Sequence, residues 1–206
     1  MLILWGRMNS VNVQKVVWAL EECGVAYERR DAGMAHGVVD TPDYRAKNPN
    51  GLVPLLEDGG TAIWESNAII RYLAAAYAPG RLWAADPAER SLADRWMDWA
   101  ATVYAPAMTP AFYNLFRIAP EKRNGEAIAA SVEATEKQMA LLDAHLARHD
   151  FLAGKAFTMA ELALGPLVHR WLNMPVDRRN RPAVARWHAS LAARPGAAKG
   201  LPLPVS

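Results

Sequence analysis

Every strand signal in this chain lies before Pro79-Gly80, and none follows it. That asymmetry excludes one sheet running through all 206 residues and divides the chain into a strand-bearing first part and an all-helical remainder. Leu2 to Trp5 reads as a short apolar strand and Gly6 to Ser10 as a polar turn. Val13, Val16, Val17 and Leu20 then fall at helical spacing, and Gly24 stops that helix. A second strand is expected over Ala26 to Arg30, with Tyr27 its best strand former. Segment 32–48 is less regular, with a short helix over Pro42 to Ala46. Pro54 to Glu57, Asp58-Gly59-Gly60 and Thr61 to Trp64 read as a hairpin. Ser66 opens a helix whose inner face carries Ile69, Ile70, Leu73 and Tyr77. This order, β-α-β then β-β-α, suits a small mixed sheet covered by helices.

Beyond the boundary, Asp86-Pro87-Ala88-Glu89 is a helix start, with Asp as cap and Pro in the first turn. The long region that follows carries Trp96, Met97, Trp99 and Tyr104, and Pro106 and Pro110 are expected to bend or break it. A helix is expected from Glu126 to His149, burying Ile128, Val132, Met139, Leu142 and Leu146. Thr158-Met159-Ala160-Glu161 is a capping box, with Phe157 placed to staple against Leu162. A last helix runs near Pro182 to Ala193.

Apolar residues make up 52% of the chain, which supports a substantial core and argues against disorder. Lys plus Arg, 23, nearly balances Asp plus Glu, 21, so no nucleic-acid surface is expected. A single cysteine, Cys23, rules out an intrachain disulfide and suits a reducing compartment. It ends the stripe of the first helix and reads as a buried structural thiol. No apolar run reaches roughly 18 residues and no basic leader precedes Leu2, so neither a membrane span nor a signal peptide is expected, and the cytoplasm is the expected location. The five histidines show no metal-ligand spacing.

The segment from Asn50 to Ser66 carries the chemistry. Pro54 opens an apolar run where a missing N–H should matter, and a cis Val53-Pro54 bond there would turn the Val53 N–H and C=O outward. A small peptide would pair with them as an added strand. Glu65-Ser66-Asn67 sits at a helix N-terminus, a site suited to a carboxylate. Together they read as a cradle for a peptide with a free carboxylate and an amine.

Four segments, Gly6 to Lys15, Asn48 to Pro54, Trp64 to Ile69 and Phe157 to Glu161, occur in the order and spacing of the cytosolic glutathione S-transferases, and the chain resembles that family over nearly its whole length. Its first turn is most similar to bacterial members with serine or threonine plus asparagine there. The resemblance implies an α/β thioredoxin-like, glutathione-binding domain over 1–78, a linker over 79–85, and an all-α helical domain over 86–206 that contributes the electrophile pocket, usually in a homodimer. Ser10 or Asn12, with Asn9 also in the turn, would stabilise the thiolate of glutathione; a serine at this place also serves simply as a helix cap. Glu65 would take the γ-glutamyl ammonium and Ser66 its carboxylate. Val53 would contribute backbone beside Pro54, and Asn50 reads as a turn residue or a glycyl-carboxylate contact. Arg7, His36 and Lys47 are further candidates for that carboxylate. Met8, Tyr104, Met108 and Tyr113 would line a pocket for a small hydrophobic electrophile, although core positions compete for each. Leu52 stands where relatives often carry Gln or Lys, which removes one side-chain contact.

The activity implied is addition of the glutathione thiolate to an electrophile, or displacement on one, with glutathione as co-substrate and no metal. Glutathione-dependent reduction of a disulfide or peroxide is a variant. The alternatives are a non-catalytic glutathione-binding or interaction module, and a glutathione-dependent dehalogenase or isomerase.

Overall fold

The computed structural model describes residues 1–205. Strand β1 (Leu2–Trp5) leads through a five-residue turn into α1 (Val11–Cys23), and β2 (Tyr27–Arg30) returns parallel to β1. After a single helical turn at Met34–His36 and α2 (Pro42–Lys47), β3 (Leu55–Asp58) and β4 (Thr61–Trp64) form the hairpin, followed by α3 (Ser66–Tyr77). The sheet order is β2-β1-β3-β4, with β3 antiparallel to β1. The apolar spacing of α1 buries Val13, Val16, Val17 and Leu20 completely or nearly so, and Gly24 ends the helix in the left-handed region at φ 69°. Glycine adopts that conformation without a Cβ clash.

The second part is α4 (Pro87–Trp99), α5 (Ala105–Arg117), α6 (Gly125–Leu146), α7 (Met159–Leu172), α8 (Pro182–Ala192) and a short α9 (Ala197–Gly200). Asp86 caps α4 by accepting from the Ala88 N–H at 3.1 Å. The break expected at Pro106 and Pro110 does not occur. Residues Ala100–Tyr104 form a π-helical turn just before Pro106, and helix continues through Pro110 to Arg117. The wider turn re-registers the backbone ladder where prolines lack a donor. The α6 helix ends at Leu146, three residues before the expected stop, and α9 lies beyond every helix read from the sequence.

The capping box at Thr158 and Glu161 forms as read. Its helix, α7, is buried on every face from Met159 to Trp171, so it is the central post of the helical part. Phe157 packs on Trp18 at 5.7 Å between ring centroids.

Trp18 also fastens the two parts together. It is fully buried, and a Cβ at Gly200 would lie 2.5 Å from it, so α1 and α9 approach closely only because residue 200 has no side chain. Glu22 accepts from Arg194 at 2.8 and 2.6 Å, and Lys199 pairs with Glu21 at 2.7 Å. These contacts hold the C-terminal half of α1 against the last residues of the chain, and α1 also packs along α7.

A histidine pair sits behind α7. His169 Nδ1 and His188 Nε2 are 3.0 Å apart with stacked rings, a contact in which one nitrogen donates and the other accepts. Burial, then His169, pushes His188 down to about 4. A folded pKa below the unfolded one means the unfolded chain binds more protons, so stability is present above about 6.5 and is lost as pH falls toward 4. Because the pair is part-exposed, we expect the loss attributable to it to be about 1 kcal/mol. Urea unfolding between pH 7 and 4 checks this: His188→Gln should flatten the decline, and an unaltered slope would contradict it.

Candidate active site

The turn between β1 and α1 brings Ser10 to the start of a helix without spending its hydroxyl there. Its backbone is extended at φ −95°, and its carbonyl accepts from the Val13 and Gln14 N–H groups at 3.0 Å each. Its side chain makes no capping hydrogen bond. Ser10 thus holds the N-cap position with its backbone, and its hydroxyl makes no bond to the helix. The turn is braced instead by Gln14, which is 5% exposed and donates from Nε2 to the Met8 carbonyl at 2.7 Å.

Beside it lies a narrow cleft of about 50 Å³ lined by Asn12, Asn50, Val53, Pro54, Glu65 and Ser66. The Val53-Pro54 bond is cis. Among the described residues no protein group pairs with the Val53 N–H or C=O. The preceding Leu52 carbonyl is held by Tyr44 Oη at 2.7 Å and Asn48 Nδ2 at 2.8 Å. These bonds fix the loop from behind, while Leu52 itself is 65% exposed and lines the same cleft. Asn50 donates backbone N–H to Asn48 Oδ1 at 3.1 Å, so it serves the turn while also lining the cleft.

Glu65 adopts φ 68°, an uncommon conformation for a residue with a Cβ. Such outliers cost about 1–3 kcal/mol and gather at ligand sites. Ser66, 6% exposed, donates from Oγ to Asn12 Oδ1 at 3.3 Å. That contact ties the start of α3 to the start of α1, so two helix N-termini converge on one cleft.

Asn12 also lines a second cavity of about 330 Å³, whose wall includes Ser10, Met34, Met108, Phe112 and Tyr113. Two residues expected there are elsewhere. Tyr104 is fully buried in the core, its hydroxyl 3.3 Å from Met139 Sδ. Met8 packs against the main core rather than lining the cavity, and Met34 takes that place.

Three arginines, Arg7, Arg117 and Arg170, also line this cavity. Arg117 ends α5 and Arg170 lies on α7; their Nη2 atoms donate to the same Asn9 carbonyl at 3.5 and 3.4 Å. Burial, then Arg117 and Arg7, pushes Arg170 down to about 10. Lys15, 3% exposed on α1, is pushed down to about 8 by burial and then Arg170, against an opposing pull from Glu65. The turn carrying Ser10 thus sits in a positive field. Sequence reading missed Arg117 and Arg170; the one available signal was the pair His169-Arg170 closing the otherwise apolar run Leu162 to Val168.

The other candidates, Lys47, His36 and Cys23, line neither the cleft nor the cavity. Lys47 pairs with Glu57 at 2.7 Å, and His36 is exposed on the Met34–His36 turn. Cys23 donates to the Leu73 carbonyl at 3.6 Å, and burial pushes its thiol up to about 11. Among the described residues no group of His, Cys, Asp or Glu is arranged to hold a metal, and no helix is long and apolar enough to cross a membrane. A larger cavity of about 580 Å³, between α6 and residues 177–181, shares no lining residue with the site.

A mixed four-stranded sheet that presents an unpaired cis-proline turn to a wall of helices defines a thioredoxin-like protein with an appended helical domain. Comparison with known proteins narrows that class. The family model for the glutathione S-transferase N-terminal domain matches residues 1–75, and that for the C-terminal domain matches 125–190. The chain is 42% identical to glutathione S-transferase GstB of Escherichia coli, covering 100% of both. It is 34% identical to glutathione S-transferase 3 of Zea mays, over 98% of this chain and 96% of that one. The crystal structure of the theta class glutathione S-transferase from Xanthomonas axonopodis pv. citri with glutathione bound superposes at a TM-score of 0.96, with 42% identity over 100% and 99% of the two chains. The chain belongs to the glutathione S-transferase family and is an enzyme of that class.

Proposed function

We propose that glutathione lies across the first turn, its γ-glutamyl end at Glu65 and Ser66, its backbone on Val53, and its sulfur at Ser10. The thiolate then attacks an electrophile held in the adjoining 330 Å³ cavity. The observation that carries this reading is the uncommitted Ser10 hydroxyl at a helix start, lining the cavity that shares Asn12 with the cleft.

The energetics are sufficient without a general base. A free thiol has a pKa of about 8.5, so little of it is ionised at neutral pH. Lowering that by ~2 takes roughly 2.7 kcal/mol of preference for the anion. A hydroxyl donating to the sulfur contributes about 1.5–3 kcal/mol, and the N-terminus of α1 about 0.3–1. The arginines beside Asn9 add to the same side. The thiol proton leaves to solvent, the sulfur lone pair forms the bond to carbon, and in a displacement the leaving group departs with its electron pair. Asn12 is the second candidate for the sulfur contact: Ser66 engages its Oδ1, which leaves the Nδ2 donor for the sulfur.

Glu65→Ala tests the placement of the peptide. Calorimetry with glutathione should show wild-type binding and a loss of about tenfold or more in the variant, since a charge-assisted contact is removed. No heat from the wild type at millimolar glutathione would overturn the reading. The domain limits 1–78, 79–85 and 86–206 are proposed as well, supported by the end of α3 at Tyr77 and the start of α4 at Pro87. A homodimer and a cytoplasmic location are proposed from family membership alone, and sedimentation decides the first.

A further inference from the structure

From the cavity wall we infer that the electrophile this enzyme takes is a small anion, a carboxylate-bearing one, rather than a neutral hydrophobic molecule. The inference rests on the transferase reading above and names the substrate of the same site.

Arg7 and Arg117 carry it. Arg7 comes from the first turn and Arg117 from the end of α5, and both line the cavity that Ser10 lines. No acidic side chain lines that cavity among the described residues. Arg7 Nε is buried without a hydrogen-bond partner, an uncommon condition for a guanidinium. Among the described residues Arg117 bonds to the Phe116 and Asn9 carbonyls alone, neither of them an anion, and its guanidinium lies 5.2 Å from the Phe112 ring centroid. Two guanidinium groups near one another in a part-buried wall repel, and burial and Arg117 together lower the pKa of Arg7. The arrangement is balanced when an anion enters, and the planar fork of arginine suits a carboxylate in two-point contact. Met108, Phe112 and Tyr113 supply the apolar surface for the rest of a small molecule.

For an α-halocarboxylate the step is a displacement. The glutathione sulfur forms a bond to the α-carbon, the carbon–halogen bond breaks, and halide leaves with the bonding pair. The carboxylate stays on the arginines and keeps the α-carbon toward the sulfur.

Iodoacetate and iodoacetamide are near-isosteric and differ in charge. The enzymatic kcat/KM for each, divided by its rate constant with free glutathione, gives the acceleration of an anionic and of a neutral electrophile. Acceleration of iodoacetate should exceed that of iodoacetamide by about tenfold or more, as a charge-assisted contact predicts. Arg117→Ala should collapse that ratio and Arg117→Lys restore part of it. The ratio cancels any effect of Arg117 on the thiolate itself. Burial holds the lone Cys23 thiol up at about 11, which slows its alkylation, and a control without glutathione subtracts what remains. Equal acceleration, a preference for the amide, or acceleration of neither with glutathione bound would overturn the anionic substrate while leaving glutathione binding intact. Retention of the ratio in Arg117→Ala, with glutathione binding weakened more than about tenfold, would also overturn it, because the arginine would then be holding the glycyl carboxylate of glutathione. Absence of calorimetric glutathione binding is the separate failure of the transferase reading.

Discussion

Replacing Ser10 by alanine is expected to raise the pKa of enzyme-bound glutathione by about 1–2 pH units and to lower kcat/KM about 10–100-fold at neutral pH. The variant removes one oxygen from a residue whose backbone, not side chain, starts α1. Stability should therefore change little, and glutathione affinity should stay within about threefold, because the peptide's other anchors are untouched. The loss should shrink as pH rises through the new thiol pKa, since the deficit is one of ionisation. Ultraviolet difference titration of the bound thiol and the pH dependence of kcat/KM read this directly. A variant with an unaltered pH profile would move the role to Asn12.

The largest expected effect on stability comes from Glu161→Ala. The Glu161 carboxylate is fully buried and accepts from the Leu152 N–H at 2.6 Å, the Thr158 N–H at 2.8 Å and Thr158 Oγ1 at 2.9 Å. Burial raises the carboxyl pKa, and the bonds from Leu152 and Thr158 oppose the rise. Alanine leaves those donors without an acceptor at the start of the helix on which the second domain is built. At about 1–3 kcal/mol for each unsatisfied buried group, with partial relaxation, the loss should be about 3–5 kcal/mol. That is a large part of the ~5–15 kcal/mol that holds most domains folded. Urea unfolding should show a lower midpoint with little change in slope, and Glu161→Gln, which keeps one acceptor, should fall between. A loss below about 1 kcal/mol would show that the box is dispensable.

What could be read from the residues alone follows from how local each signal is. The α1 stripe, its Gly24 stop, the β3–β4 hairpin and the Thr158–Glu161 box depend on neighbours within a few positions, and all four appear in the structure. The cleft residues Asn50, Val53, Pro54, Glu65 and Ser66 also come together as read, because a short hairpin joins them. The cavity wall was less legible. Tyr104 and Tyr113 share an aromatic-rich helical run, yet nine positions apart they fall on opposite faces, one in the core and the other 54% exposed. Arg117 and Arg170 meet only because α5 and α7 both reach the Asn9 carbonyl, a tertiary fact that helical periodicity does not encode. The apolar residues nearby suggested a hydrophobic electrophile; the arginines among them favour a charged one.

A crystal structure of the protein with glutathione tests the central claim most directly. The account predicts sulfur within about 3.5 Å of Ser10 Oγ, with the peptide backbone paired to Val53 and the γ-glutamyl group at Glu65 and Ser66. Sulfur facing away from residue 10, or glutathione seated elsewhere than the Val53 edge, would contradict it.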